Sequence, residues 1–236
     1  MIAYGEHPEQ FGELTFPEAA DGPVPVVALW HGGSFERAYD LGQMRRLADD
    51  LASHGWAAWN LEYRRLDCDG GWPETFEDAR AGLDHLAEID APLDLDRVAG
   101  VGLSAGTALC LHAASRPGRV PLRAAVDQAG LSDLGAVMEA KGDGSLARLL
   151  GGAPVGDVDP TSRLPFGTPM LHVFGADDDV VPVALAQRFS AAARAAGDSS
   201  EVAVVPGDHY VHMDPASEAW RTAREWLSER LARPSR

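Results

Sequence analysis

Short apolar runs alternating with longer stretches of helical period constrain this chain more than any other feature, because βαβ units stacked on a mostly parallel sheet produce that pattern. A valine-rich run over residues 24–30 reads as the first strong strand and ends at His31-Gly32-Gly33. Leu41, Met44, Leu47 and Leu51 then recur at spacings of three and four, a helix face that Gly55 can close, and a second strand over 57–61 follows at once. After the loop 67–73, Thr75 precedes a helix carrying Phe76, Ala79, Leu83 and Leu86, with Glu77 and Asp78 in its first turn. Residues 98–103 form the third strand, which runs straight into Ser104, and 105–115 a helix stopped by Pro117 and Gly118.

Beyond a short strand over 124–127, residues 130–167 break the alternation with small helical pieces, as an insertion lying over the sheet would. Regularity returns with a strand over 170–174, a helix over 183–196 closed by Gly197, a strand over 202–205 and a final helix over about 215–231. One domain spanning residues 1–236 accounts for the whole pattern. Its expected architecture is a three-layer α/β/α sandwich with a mostly parallel central sheet and a small lid-like insertion at about 130–167.

Composition agrees with an enzyme-sized fold: 236 residues, 45% hydrophobic and 24% charged, suffice for a sizeable core. Asp and Glu outnumber Lys and Arg by 36 to 20, a formal charge of −16 that repels a phosphate backbone, so nucleic acid and anionic membrane are poor partners. Cys68 and Cys110 lack metal-ligand spacing and read as reduced structural thiols; no HExxH motif or His/Cys cluster points to a metal. Glu6, Glu9 and Glu13 stand where a signal peptide needs a basic start, and no segment is apolar enough to span a bilayer, so the expected location is cytoplasmic. The sequence leaves oligomeric state open and allows a homo-oligomer.

The sharpest chemical signal is Gly102-Leu103-Ser104-Ala105-Gly106, a G-x-S-x-G between a predicted strand and a predicted helix. A serine nucleophile needs such a turn, because only there does its Oγ project from the top of the sheet while small neighbours let the backbones pack close. The helix beginning at Ala105 also aims its first amides at any negative charge forming beside Ser104. A base and an orienting carboxylate must arrive from other strand ends. Asp177-Asp178-Asp179 directly follows the strand over 170–174, and Pro206-Gly207-Asp208-His209 directly follows the strand over 202–205. Any one of the three aspartates can be the acid, the others capping the turn; Asp127, at another strand end, is the reserve.

His209 sits immediately past a strand, while His212 reads as a structural or pocket-lining residue. His172, inside a strand, reads as a hydrogen-bonded core histidine; His7, His54, His85 and His112 read as surface or packing residues. His31-Gly32-Gly33-Ser34-Phe35 completes the set, because glycines let backbone amides approach a developing oxyanion; the amides of Gly33, Ser34 and Ala105 are assigned to that hole and His31 to bracing the loop. Phe35, Trp72, Met138 and Phe166 are candidate pocket walls, each with packing under a loop as the plain alternative. Arg64 and Arg65, just past a strand end, either meet a substrate carboxylate or brace a loop by ion pairing.

On these motifs the chain resembles the α/β-hydrolase superfamily from Val24 to Leu231, and its HGG oxyanion loop is similar to that of the esterase, lipase and arylformamidase (kynurenine formamidase-like) groups. The G-x-x-D-x-V-V-P turn of that superfamily, laid on Gly175 to Pro182, selects Asp178. The resemblance implies Ser104 as nucleophile, Asp178 as acid, His209 as base, and Gly33, Ser34 and Ala105 as oxyanion donors. Departures lie at Ser34-Phe35, where relatives often carry a third Gly or Tyr-Trp, and at Leu103 and Thr107, where many carry His and Gly.

The implied chemistry is two-step acyl transfer on a small-molecule ester or amide/formamide, without a cofactor. Two rival readings keep the fold: a non-hydrolytic enzyme (epimerase, cyclase or acyltransferase) of a natural-product pathway, or a ligand-binding protein. Serine at the elbow disfavours thiol chemistry of the dienelactone hydrolase kind and the aspartate chemistry of haloalkane dehalogenases.

Overall fold

A computed structural model describes residues 1–116, 118–141 and 144–232. Eight strands follow in chain order: β1 (Ile2–Ala3), β2 (Phe11–Thr15), β3 (Val24–Trp30), β4 (Ala57–Leu61), β5 (Leu93–Leu103), β6 (Ala124–Gln128), β7 (Met170–Gly175) and β8 (Ser200–Val205). They form one sheet in the order β1-β2-β4-β3-β5-β6-β7-β8. The pairings from β4 through β8 are parallel, and only β1 with β2 and β2 with β4 are antiparallel.

Every residue of β3 is buried, as a strand covered on both faces requires. Alternate side chains serve opposite layers. Val26, Ala28 and Trp30 pack with Phe76, Ala79 and Leu83 of α2 (Glu74–Asp84), Leu109 of α3 (Ala105–Ala114) and Phe189 of α6 (Val183–Ala196). Val27 and Leu29 pack on the other face with Leu47 and Leu51 of α1 (Arg45–Ser53) and Trp220, Ala223 and Leu227 of α7 (Glu218–Leu231). This is the expected three-layer sandwich. The last helix starts later than the expected 215: α7 begins only where the Ser217 hydroxyl accepts from the Trp220 amide.

The insertion folds as α4 (Leu134–Lys141), α5 (Ser145–Leu150) and two single-turn 3₁₀ segments, Val155–Asp157 and Pro160–Arg163. Leu134, Val137, Leu146, Leu149, Leu150 and Val158 join the core on the α2–α3 side, so these pieces are packed rather than loosely draped. Two strands were not anticipated by the sequence reading, β1 and β2. In β2 a Cβ at Gly12 would fall 2.4 Å from the Trp59 ring of β4, so the glycine answers a neighbour that only pairing brings alongside.

Candidate active site

Parallel β5 and β6 end at the same edge of the sheet, and there β5 turns abruptly into α3 through Ser104, whose backbone is held at φ 50°, ψ −116°. A serine at positive φ is strained, and close packing on both sides holds it there. A Cβ at Gly102 would lie 2.4 Å from Thr107 Cα, and one at Gly106 would lie 2.2 Å from the Trp30 carbonyl oxygen of β3. The elbow is therefore wedged between its own helix and the next strand. Hydrogen bonds from the Ser104 amide to the Gln128 carbonyl (2.9 Å) and from the Leu131 amide to the Ser104 carbonyl (3.2 Å) fix it further.

Three side chains meet at this edge. Ser104 Oγ lies 3.2 Å from His209 Nε2, and His209 Nδ1 lies 2.9 Å from Asp178 Oδ2. The second oxygen of Asp178 accepts the amides of Val180 and Val181, each at 2.9 Å. The aspartate facing the histidine is therefore also the one that caps the turn, whereas Asp177 and Asp179 are exposed. With both oxygens engaged, the carboxylate has little freedom to rotate away from the imidazole.

The loop 31–35 bends beside Ser104 with three successive residues at positive φ: Gly33 (101°), Ser34 (55°) and Phe35 (60°). Neither Gly33 nor Ser34 donates its amide to a backbone carbonyl among the described residues. Ala105, as the first residue of α3, has no acceptor within the helix. The three amides assigned to an oxyanion hole thus lie around the serine with donors to spare. Two side chains hold the loop. The Gln43 amide oxygen accepts the Gly32 amide (3.1 Å), and His31, fully buried and stacked on Tyr63 at 4.4 Å, contacts the Gly32 carbonyl and the Glu62 carboxylate at 2.8 Å each.

Two cavities open on Ser104 and Ser34. One, of about 110 Å³, is walled by Tyr39, Gln43, Tyr210 and Met213; the other, of about 120 Å³, runs under the insertion between Leu131, Val137, Met138, Leu146 and Val181. A further apolar recess of about 110 Å³, lined by Leu131, Val137, Val181, Pro182 and Leu185, adjoins the second. Of the four wall candidates from the sequence, Met138 lines the serine cavity and the other three do not. Phe35 is turned inward by its positive φ and packs against Phe76; Trp72 faces Phe76 and His112 in a separate cavity; Phe166 is tied by its amide to Asp198 and packs on Phe189. Tyr39, Gln43 and Tyr210 were missed, since isolated polar and aromatic residues in loops carry no periodic signal.

The remaining polar candidates are structural. Arg64 forks onto Asp78 (2.7 and 2.8 Å), and Arg65 pairs with Glu9 and Glu62, so both brace the loop and neither faces Ser104. Asp127 holds His172 at 2.7 Å, and the other ring nitrogen of His172 meets Ser200 at 3.1 Å. This second Asp, His and Ser set has no accessible surface at its histidine and works as a clamp across β6, β7 and β8. His212, in the turn Val211–Met213, is fully buried with both ring nitrogens unpartnered, and burial pushes its pKa down to about 4. Both cysteines are free and buried, and among the described residues no three His, Cys, Asp or Glu side chains converge as a metal-binding group.

A mostly parallel sheet between helical layers, with a strained serine between strand and helix and an acid and a histidine arriving from later strand ends, defines an α/β-hydrolase fold. The BD-FAE family model matches residues 13–192, and the chain belongs to that family. Solved structures agree on the fold. The propionate-bound esterase Est2 of Thermogutta terrifontis is 19% identical, with a TM-score of 0.81 over 99% of this chain and 95% of its own. An inhibited esterase B from Lactobacillus rhamnosis is 20% identical, with a TM-score of 0.85 over 97% of this chain and 85% of its own. A bifunctional GH43-CE protein of Bacteroides eggerthii is 18% identical with a TM-score of 0.85, and this chain covers 98% of itself but 35% of that longer protein. No curated protein matches the chain.

Proposed function

We propose that this protein is a serine hydrolase that cleaves a small carboxylic ester through an acyl-enzyme on Ser104. One observation carries the reading: the hydroxyl at the strained elbow lies 3.2 Å from an imidazole nitrogen whose partner nitrogen lies 2.9 Å from a doubly held carboxylate. His209 Nε2 takes the Ser104 proton as Oγ attacks the ester carbonyl, and Nδ1–H stays hydrogen-bonded to Asp178, which stabilises the imidazolium. The amides of Gly33, Ser34 and Ala105 receive the tetrahedral oxyanion. The imidazolium then returns its proton to the leaving alkoxide. Water, deprotonated by the same nitrogen, releases the acid and restores the serine.

The two cavities divide the substrate. The apolar one beneath the insertion suits the acyl chain, and the Tyr39–Tyr210 side, open to solvent, suits the alcohol. At about 120 Å³ with an apolar recess beyond it, the acyl side is far smaller than the roughly 300–1,000 Å³ of sites for drug-sized ligands, so short acyl groups fit best. The structural relatives with esterase in their descriptions add weight to an ester over an amide.

A panel of p-nitrophenyl esters of increasing acyl length, set beside an aryl formamide, tests this on wild type and Ser104→Ala. Short esters should be hydrolysed fastest, and the variant should lose several powers of ten in turnover. Release that persists in Ser104→Ala, or failure of a fluorophosphonate to label Ser104 in folded protein, would sink the reading. Preference for the formamide would move the assignment to C–N bonds.

A further inference from the structure

Helix α3 carries a second cluster at the end opposite Ser104, about 12 Å along the helix axis. There His112, Arg116, Trp72, Pro73, Phe76 and Glu77 enclose a cavity of about 190 Å³. Trp72 meets Phe76 edge-on at 5.5 Å, and His112 lies 5.0 Å from the Phe76 ring and 6.2 Å from the Trp72 ring. His112 is only 4% exposed, yet its Nδ1 has no hydrogen-bond partner. Nε of Arg116 is likewise sealed and unpartnered.

Positive charge gathers here in a molecule whose net charge is −16. Arg116, Arg163 and Arg80 all act electrostatically on His112, and the Pro160–Arg163 turn packs against α3. Arg80 is neutralised by Asp84. Among the described residues no carboxylate stands within ion-pair distance of Arg116 or Arg163, and the Arg163 guanidinium, with Nε also unpartnered, is disfavoured by burial and then by the charge of Arg116. Arg163 is offset only by the field of Asp157 and Arg116 by no carboxylate, so two neighbouring guanidinium groups are costly here, and an anion between them and the rings relieves that cost.

We propose that this cavity binds a small aromatic monocarboxylate, its ring against Trp72 and Phe76 and its carboxylate on Arg116, with Arg163 supplying field and His112 a hydrogen bond. The chemistry of the walls selects the ligand. Three rings provide flat apolar contact that an inorganic anion does not use. Arg163 is offset by the field of Asp157, which leaves Arg116 as the cation of the wall with no carboxylate beside it, and Glu77 is exposed at the rim. One unpaired guanidinium calls for one negative charge, and its fork suits a carboxylate.

Titration with benzoate, following the Trp72 indole N–H resonance of the full-length protein, tests the site directly. Benzoate should shift that resonance saturably, while the neutral isostere benzamide should not. Arg116→Gln should weaken binding about tenfold or more, and Glu77→Gln, which removes the repelling charge, should tighten it by roughly threefold. Neither residue belongs to the proposed catalytic machinery, and unchanged melting temperatures report that both variants fold. A resonance unmoved by benzoate, or moved equally in Arg116→Gln, overturns the site. Inorganic phosphate competing as well as benzoate overturns the aromatic assignment.

Discussion

At the residue scale, Asp178 shows how much one side chain does. Its carboxylate orients His209 with one oxygen and closes the 178–181 turn with the other. Asn at this position keeps an oxygen for the two amides but offers His209 either a donor where an acceptor is needed or the wrong tautomer. Asp178→Asn is therefore expected to lower kcat about ten-thousand-fold while leaving the melting temperature within a few degrees. Stopped-flow ester hydrolysis and a thermal melt check this; a fall in melting temperature to match the lost activity would make the residue structural only. The wall residues teach the opposite lesson. Phe35 stands next to the oxyanion loop in sequence, yet its positive φ sends the ring into the core. Adjacency in sequence says little about direction in a loop whose dihedrals are set by its neighbours.

At the scale of the elements, the elbow depends on helix and strand approaching to backbone contact. Gly106→Ala would place a Cβ 2.2 Å from the Trp30 carbonyl oxygen, where rigid backbone cannot yield, whereas nothing lies within 4 Å of a Cβ at Gly156. Gly106→Ala is expected to cost about 2–4 kcal/mol and Gly156→Ala to stay within about 0.5 kcal/mol. Urea unfolding of the pair reads the difference, and equal midpoints would refute the wedge. The clamp formed by Asp127, His172 and Ser200 joins three strands in the same way. His172→Phe leaves Asp127 Oδ2 buried without its hydrogen-bond partner, which should destabilise the fold by about 1–3 kcal/mol. Because His172 lines neither cavity at Ser104, kcat measured on the folded fraction should stay within a few-fold of wild type.

The whole molecule carries two buried neutral histidines that tie its stability to pH. Burial, with the charges of Arg116, Arg163 and Arg80 added, pushes the pKa of His112 down to about 3, and burial pushes His212 down to about 4. In the unfolded chain both return to about 6.5, so between the folded and unfolded values the unfolded state binds more protons and stability decreases as pH is lowered. The contribution is complete above about pH 6.5 and is lost progressively toward pH 4 and below, on the order of a few kcal/mol for each group. Melting temperature against pH should fall through this range, and the double variant His112→Phe, His212→Phe should flatten the slope. An unchanged slope would place the acid sensitivity elsewhere. The formal charge of −16 acts over the same molecule, and its self-repulsion weakens as salt is added.

Much of this was legible from sequence because it rests on local rules. The period-two strands, the period-3.6 helices and the Gly-x-Ser-x-Gly turn each state their geometry within about a dozen residues, since pleat, helical repeat and the sterics of one Cβ are short-range properties. The order serine, acid, histidine followed from successive strand ends sharing one edge of a parallel sheet. The tertiary structure decided what depends on partners far along the chain. It paired β1 with β2 and β2 with β4, and it placed Trp72 and Phe166 away from Ser104. It also set Arg64 on Asp78 and left His112 and Arg116 around a cavity of their own. Side-chain direction in loops and the pairing of buried charges arise only when distant segments exclude water from one another, and no window of sequence contains both sides of such a contact.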